Sequence, residues 1–252
     1  MEVNPPLPDN VFNQLVSPLL NFNTHTIVST WVVMLILIVF FLLATRKVSI
    51  VPGRLQAMAE ILVDGFRSLV IQSLGPERGP RYVAYFGTLF LFLLVCNIIG
   101  IFPTMTFDLF DAQFETMRHI PAIEEPTKDY NTPGGLALLS LVFVAHASEI
   151  KVKGLGGYLK SYFDPFGFTI GGIILMPLNV VGKIAEFISI SFRLFGNIFG
   201  GAVIMIVVGG LVHHLLLPPF LMGFFGIFVG TIQAFVFTML ALSYTSTGIM
   251  EE

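Results

Sequence analysis

Between residues 165 and 250 the chain carries three charged side chains, Lys183, Glu186 and Arg193, and all three fall within eleven positions. No other feature limits the fold as severely. The apolar run from 166 to 217 is about 50 residues, or roughly 75 Å as a helix at about 1.5 Å per residue. A bilayer core is only about 30 Å thick. The run must therefore break into two pieces or lie steeply tilted. Pro218-Pro219 then punctuate the chain, and a last apolar segment from Phe220 to Gly248 is again long for an upright crossing. The pattern favours a tilted helical hairpin, with arms over 166–215 and 219–249.

The rest of the chain also reads as lipid-embedded. Hydrophobic residues make up 55% of it and charged residues 12%, with a mean hydropathy of +0.85; soluble domains carry about 25% charged residues. Residues 26–45 form an apolar run that ends at Arg46-Lys47 and lacks a small-residue cleavage site, so it is expected to be a retained spanning helix. By the positive-inside rule that end is cytoplasmic, and the segment 1–25 lies outside. Over 53–75, Arg54, Glu60, Asp64 and Arg67 share one side while Leu55, Met58, Ile61, Leu62, Phe66 and Val70 recur at helical spacing. This predicts an amphipathic helix on the cytoplasmic surface. A second span is expected over 82–103, an acidic outer loop over 104–133 and a third span over 134–150. Lys151, Lys153 and Lys160 then mark the cytoplasmic side again. The expected fold is a single all-α integral membrane domain of five to six membrane helices, with the surface helix and the tilted hairpin among them. The C-terminus is expected on the cytoplasmic side.

Arg193 is the residue most out of place. An arginine in the middle of a membrane helix costs at least about 2.5–3.5 kcal/mol, and it cannot shed its proton to escape that cost. Ser189, Arg193 and Asn197 follow at i−4, i and i+4, so they share one face. Gly196, Gly200 and Gly201 thin the backbone beside them, which lets another helix approach. Glu186, seven residues away, is far for pairing within one helix. Gln233 sits in the last segment on a stripe with Gly223, Gly226 and Gly230. Its amide must find partners: either a neighbouring backbone or, if the hairpin closes, the Arg193 guanidinium.

Other polar residues admit two readings each. Lys183 and Glu186 can pair across one turn, as a structural pair at a cytoplasmic mouth or as a proton relay. His146 and Glu149, three apart near the inner end of the third span, either sit at the interface or touch an aqueous path. His213-His214 are adjacent and lack the i, i+4 spacing of a zinc site. They are either interfacial or feed protons into an outer half-channel. The single cysteine, Cys96, excludes an internal disulfide and any multi-thiolate metal site. No metal and no cofactor is expected, and a net charge of −3 gives no argument for nucleic acid.

At RLFGN (193–197) the chain resembles subunit a of F-type ATP synthases. The segments VPGRLQAMAEILVD (51–64), CNIIGIFP (96–103), PTKDYNTPGGLAL (126–138), IKVKGLGGYLK (150–160), PLNVVGKIAEFISISFRLFGN (177–197) and TIQAFVFTMLALSY (231–244) resemble that family in the same order. The resemblance covers about residues 20–248. It implies a non-catalytic subunit beside a rotating ring of c subunits, held with the b subunits of the peripheral stalk and the rest of the F1Fo complex in a bacterial plasma membrane. It also implies two ion half-channels on opposite sides, with Arg193 between them as the essential coupling arginine. Asn197, Ser189 and Gln233 match positions that support that arginine.

Two departures stand out. Where many members of that family carry a Glu/His pair in the outer channel, this chain has Ala202 and Gly226. Where many have an acid and then a lysine before the arginine, Lys183 and Glu186 reverse the order, and Asn179 replaces a further acid found in some. His213, His214 and bound water are the expected substitutes on the outer side. Lys183, Glu186, Asn179, Glu149 and His146 are the candidates near the inner exit. Two other classes fit less well. A self-contained channel or transporter predicts internal repeats around a midplane site, and a membrane enzyme with a histidine-bound metal predicts ligand spacing. Neither pattern is present in the sequence.

Overall fold

A computed structural model describes residues 24–99, 125–163, 167, 169–212, 220–221 and 223–250. Every regular element among them is helical. In chain order these are α1 (Thr24–Thr45), α2 (Arg54–Arg78), α3 (Val83–Ile99), α4 (Asn131–Leu138), α5 (Ala147–Ser161), α6 (Ile170–Val212) and α7 (Gly230–Met250). A π-helical segment, Leu139–His146, joins α4 to α5, and a second, Phe224–Val229, leads into α7. Four helices are long and apolar enough to cross a membrane, or five if the bent pair α2–α3 counts as one. The chain is thus an all-α membrane protein, in agreement with the expected fold class. Most of the N-terminal segment, most of the 104–133 loop, His213, His214 and Pro218-Pro219 lie outside the described residues.

Two glycines turn helices at one end of the bundle. Gly75 has φ 79° and ψ 165°, and Gly154 has φ 74° and ψ 166°. That backbone region is essentially open only to glycine. Gly75 breaks α2 one residue before Pro76, and the helix axis then swings by 110° into α3. Gly154 ends the long helix that starts at Asn131, four residues beyond the expected limit at 150, and leaves 155–161 as a separate short piece.

Of the two outcomes open to the 166–217 run, the described part, 170–212, takes the unbroken one. Helix α6 runs 43 residues with Pro177 inside it. At about 1.5 Å per residue it is roughly 64 Å long, twice the bilayer core, so it must incline strongly. Almost none of its apolar stretch is buried within the chain. Ile174, Leu178 and Val181 all face outward.

The core lies between α2, α3, the α4–α5 stack and α7. Phe66, Val70 and Leu74 of α2 pack on Phe86, Phe90 and Leu93 of α3 and on Phe237, Leu242 and Ile249 of α7. The Phe66 and Phe90 rings lie 4.6 Å apart. Ile190 and Leu194 are fully buried and dock α6 onto this core. Hydrogen bonds fix the relative direction of the helices. At one end Arg78 Nη1 donates to the Ile249 carbonyl (2.8 Å), Ser246 Oγ to the Ser73 carbonyl (2.6 Å) and the Tyr82 hydroxyl to Ser148 Oγ (2.7 Å). At the other end Asn97 Nδ2 donates to the Gly230 carbonyl and Thr127 Oγ1 to Asn97 Oδ1, both at 2.9 Å. The helices α3 and α7 therefore run antiparallel, with the basic loops gathered at the first end.

Candidate functional site

Arg193 projects from the middle of α6. The helical repeat puts it at the border between the buried strip of Ile190 and Leu194 and the open face. Ser189, Arg193 and Asn197 are all exposed. Arg193 Nη2 donates to Ser189 Oγ at 3.3 Å, as the i−4 spacing requires. Gly196 and Gly200 also face open space, since a Cβ at either would meet nothing within 4 Å. Gly201 differs, because a Cβ there would stand 3.4 Å from the Phe225 ring of the second arm. The small residues thus divide by role: Gly201 packs the hairpin, and Gly196 and Gly200 leave room for something outside this chain.

Gln233 does reach this region, by way of Asn197. Asn197 Nδ2 donates to Gln233 Oε1 at 2.7 Å and ties α6 to α7. Gln233 is buried, and its Nε2 has no hydrogen-bond partner among the described residues. A buried N–H without an acceptor is unfavourable by about 1–3 kcal/mol, so the amide is held in place without being fully satisfied. Tyr244, three turns further along α7, stands within electrostatic reach of both Arg193 and Glu186. Sequence reading passed over this tyrosine, whose only local signal is a phenol in an apolar helix.

A second cluster forms where the end of the third span meets the start of α6. Glu149 is buried at 4% exposure. Its Oε1 accepts from Lys153 Nζ at 3.2 Å and its Oε2 lies 3.9 Å from His146 Nδ1. Lys183 Nζ and Glu186 Oε2 are 3.8 Å apart, the pairing that their spacing allows. Lys183 also lies within electrostatic reach of Glu149, so the two pairs form one network across the two helices. Asn179 donates Nδ2 to the Tyr162 carbonyl at 2.8 Å. Lys153 and Gly248 were also missed. A Cβ at Gly248 would stand 3.2 Å from Glu149 Oε2, so glycine there lets α7 pass close to the carboxylate. Their proximity follows from tertiary packing and leaves no local mark. A cavity of about 900 Å³ adjoins this network, with His146 and Lys183 among its lining residues.

The arrangement can hold a fixed cation on an uncovered helix face and, nearer the basic end, a partly buried set of alternating charges. Of the two positions that depart from the resembled pattern, Gly226 lies in the π-helical segment Phe224–Val229, and Ala202 lies on α6.

A family model described as "ATP synthase A chain" matches residues 27–246. Three similar chains illustrate the range. The "ATP synthase subunit a, sodium ion specific" of Propionigenium modestum is 38% identical over 229 residues, covering 90% of this chain and 74% of that one. The "ATP synthase subunit a" of Moorella thermoacetica is 33% identical over 219 residues, with 87% and 88% covered. The "ATP synthase subunit a 1" of Pelobacter propionicus is 33% identical over 254 residues, with 99% of each chain covered.

Proposed function

The chain belongs to the ATP synthase A chain family, subunit a of F-type ATP synthases, and from that premise we propose that it is the stator half of the membrane motor. The open face of α6 meets a ring of c subunits, each carrying a membrane carboxyl. The carboxyl crosses lipid in its neutral form and becomes charged only when it reaches the stator. Arg193 cannot deprotonate, so it attracts each arriving carboxylate and favours release of its ion. The same fixed charge repels cations and stops direct leakage between the half-channels. Ser189 orients the guanidinium from one turn below, and the Asn197–Gln233 bond fixes the second arm beside it. Each charge crossing 100 mV releases about 2.3 kcal/mol, and several such steps drive one synthesis on the soluble head.

On this reading Lys183, Glu186, Glu149 and His146, with Asn179 beside them, form the inner exit, and His213 and His214 serve the outer entrance. The basic loops support a cytoplasmic exit in a bacterial plasma membrane, with the N-terminus outside. The b subunits of the peripheral stalk hold the chain against rotation. The ion is a proton in the first reading. Sodium is the second, favoured by the name of the Propionigenium modestum relative.

The observation that carries the proposal is the exposed Arg193 in the middle of a long helix whose apolar stretch the chain leaves largely uncovered. Charges inside membrane segments are rare, and almost all of them face a protein interior or a water-filled cavity and find a partner there. The test is ATP-driven transport by the reconstituted complex, read both as acidification and as uptake of radioactive sodium. Arg193→Ala and Arg193→Lys should each abolish coupled transport, because a compact ammonium does not reproduce the guanidinium fork. Normal pumping by either variant refutes the role of Arg193, and whichever ion is transported by the unaltered complex decides between the two readings.

A further inference from the structure

A wedge between α6 and the third span forms the cavity of about 900 Å³. Its walls are apolar: Leu138 and Val142 from one side, Met176 and Ile184 from the other, all four exposed to the gap. Its mouth is different. The short piece after Gly154 lies across it and contributes Tyr158, Lys160 and Tyr162. The two tyrosine oxygens are 2.6 Å apart, so one hydroxyl hydrogen joins them and the other is left to donate outward.

Among the described residues, the charges at the mouth do not balance. Glu149 is engaged by Lys153 and His146, and Glu186 by Lys183. Lys160 is exposed and makes no ion pair among the described residues. Among the described residues, one unpaired cation and one phenolic donor thus stand at the polar end of an apolar slot. A water-filled ion path would need largely polar walls, whereas here His146 and Lys183 are set among a mostly apolar lining. Basic pockets between membrane helices at the cytoplasmic level match anionic headgroups, and tyrosines gather at headgroup depth.

We propose that this wedge holds one anionic phospholipid of the bilayer, with its acyl chains between α6 and the third span and its phosphate at Lys160 and the Tyr158–Tyr162 pair. The inference goes beyond the motor reading and does not need it: it requires only that the chain lies in a membrane. A lipid there would seal the flank of the charged network at His146 and Lys183 and support the inclined helix where the chain itself leaves it bare.

The test uses the intact complex in vesicles that contain diazirine-labelled phosphatidylglycerol or, in parallel, equally labelled phosphatidylcholine. After photolysis, adducts are mapped by mass spectrometry. Phosphatidylglycerol should label the peptides around 138–146 and 176–187 about fivefold more than phosphatidylcholine, and Lys160→Glu should remove that preference. Val142→Trp should fill the wedge and suppress labelling by both. If Val142→Trp does not assemble, the exposed Lys160→Glu still decides the matter. Equal labelling by the two lipids overturns the proposal, as does an unchanged preference in Lys160→Glu. Displacement by excess inorganic phosphate would mean a free-anion site. Cross-linking of a photoreactive residue at position 142 to another subunit would mean that a protein helix fills the wedge.

Discussion

At Gly230 the backbone of α7 approaches Asn97 so closely that a Cβ there would stand 2.9 Å from Asn97 Cβ. Both elements are held at that distance by the bond from Asn97 Nδ2 to the Gly230 carbonyl, and Thr127 completes the buried set. Gly230→Ala should therefore destabilise the protein by about 1–3 kcal/mol, the usual range for overpacking, whereas Gly65→Ala, with open space around it in α2, should be neutral or gain up to about 1 kcal/mol. Thermal unfolding of the purified complex in detergent checks both, and a Gly230→Ala midpoint equal to the parent would contradict the packing argument. The contrast with Arg193 shows what a sequence can reveal at this scale. An arginine in an apolar run is conspicuous by its cost, and its bond to Ser189 follows from i−4 spacing alone. Asn97 finds its partner 133 residues away, and nothing local in CNIIG records that.

At the scale of elements, the apolar runs that lipid demands were legible because a crossing helix must be apolar along its whole length. Where those helices stop was less legible. Gly154 sits in IKVKGLGGYLK among three glycines, and only its φ of 74° and ψ of 166° mark it as the one that ends the span. The two π-helical segments also have no sequence signature; such i→i+5 turns are rare and occur mostly as bulges within α-helices. That α6 stays unbroken through Pro177 was one of two open outcomes, because proline can end a helix or merely kink it. The glycine breaks give an element-level prediction. Gly75→Ala and Gly154→Ala should each lose about 1–3 kcal/mol, since both dihedrals are nearly closed to other residues. Gly53→Ala, at φ −69° and without a neighbour within 4 Å, should change little. Protease sensitivity of the short 155–161 piece should rise in Gly154→Ala and stay unchanged in Gly53→Ala.

Across the whole molecule, the end-to-end hydrogen bonds sort the chain into two sides without any reference to a membrane. Arg78, Ile249, Tyr82 and Ser148 meet at one end, and Asn97, Thr127 and Gly230 at the other. On the first side stand Arg46, Lys47, Arg54, Arg67, Arg78, Arg81, Lys151, Lys153 and Lys160, nine of the thirteen basic residues. Such an asymmetry in short loops sets orientation during insertion, so the first side should face the cytoplasm. The native cysteine does not interfere with a test, because Cys96 is fully buried. Cysteine placed at Ile50, which is fully exposed, should react with a membrane-impermeant maleimide only in inverted vesicles. Cysteine at Asn131, exposed at the opposite end, should react only in right-side-out cells. The reverse pattern would place the His146–Glu186 network on the outer surface and exchange the two half-channels. Labelling of both sites from one side would break the antiparallel arrangement itself, which rests on the Asn97–Gly230 and Arg78–Ile249 contacts.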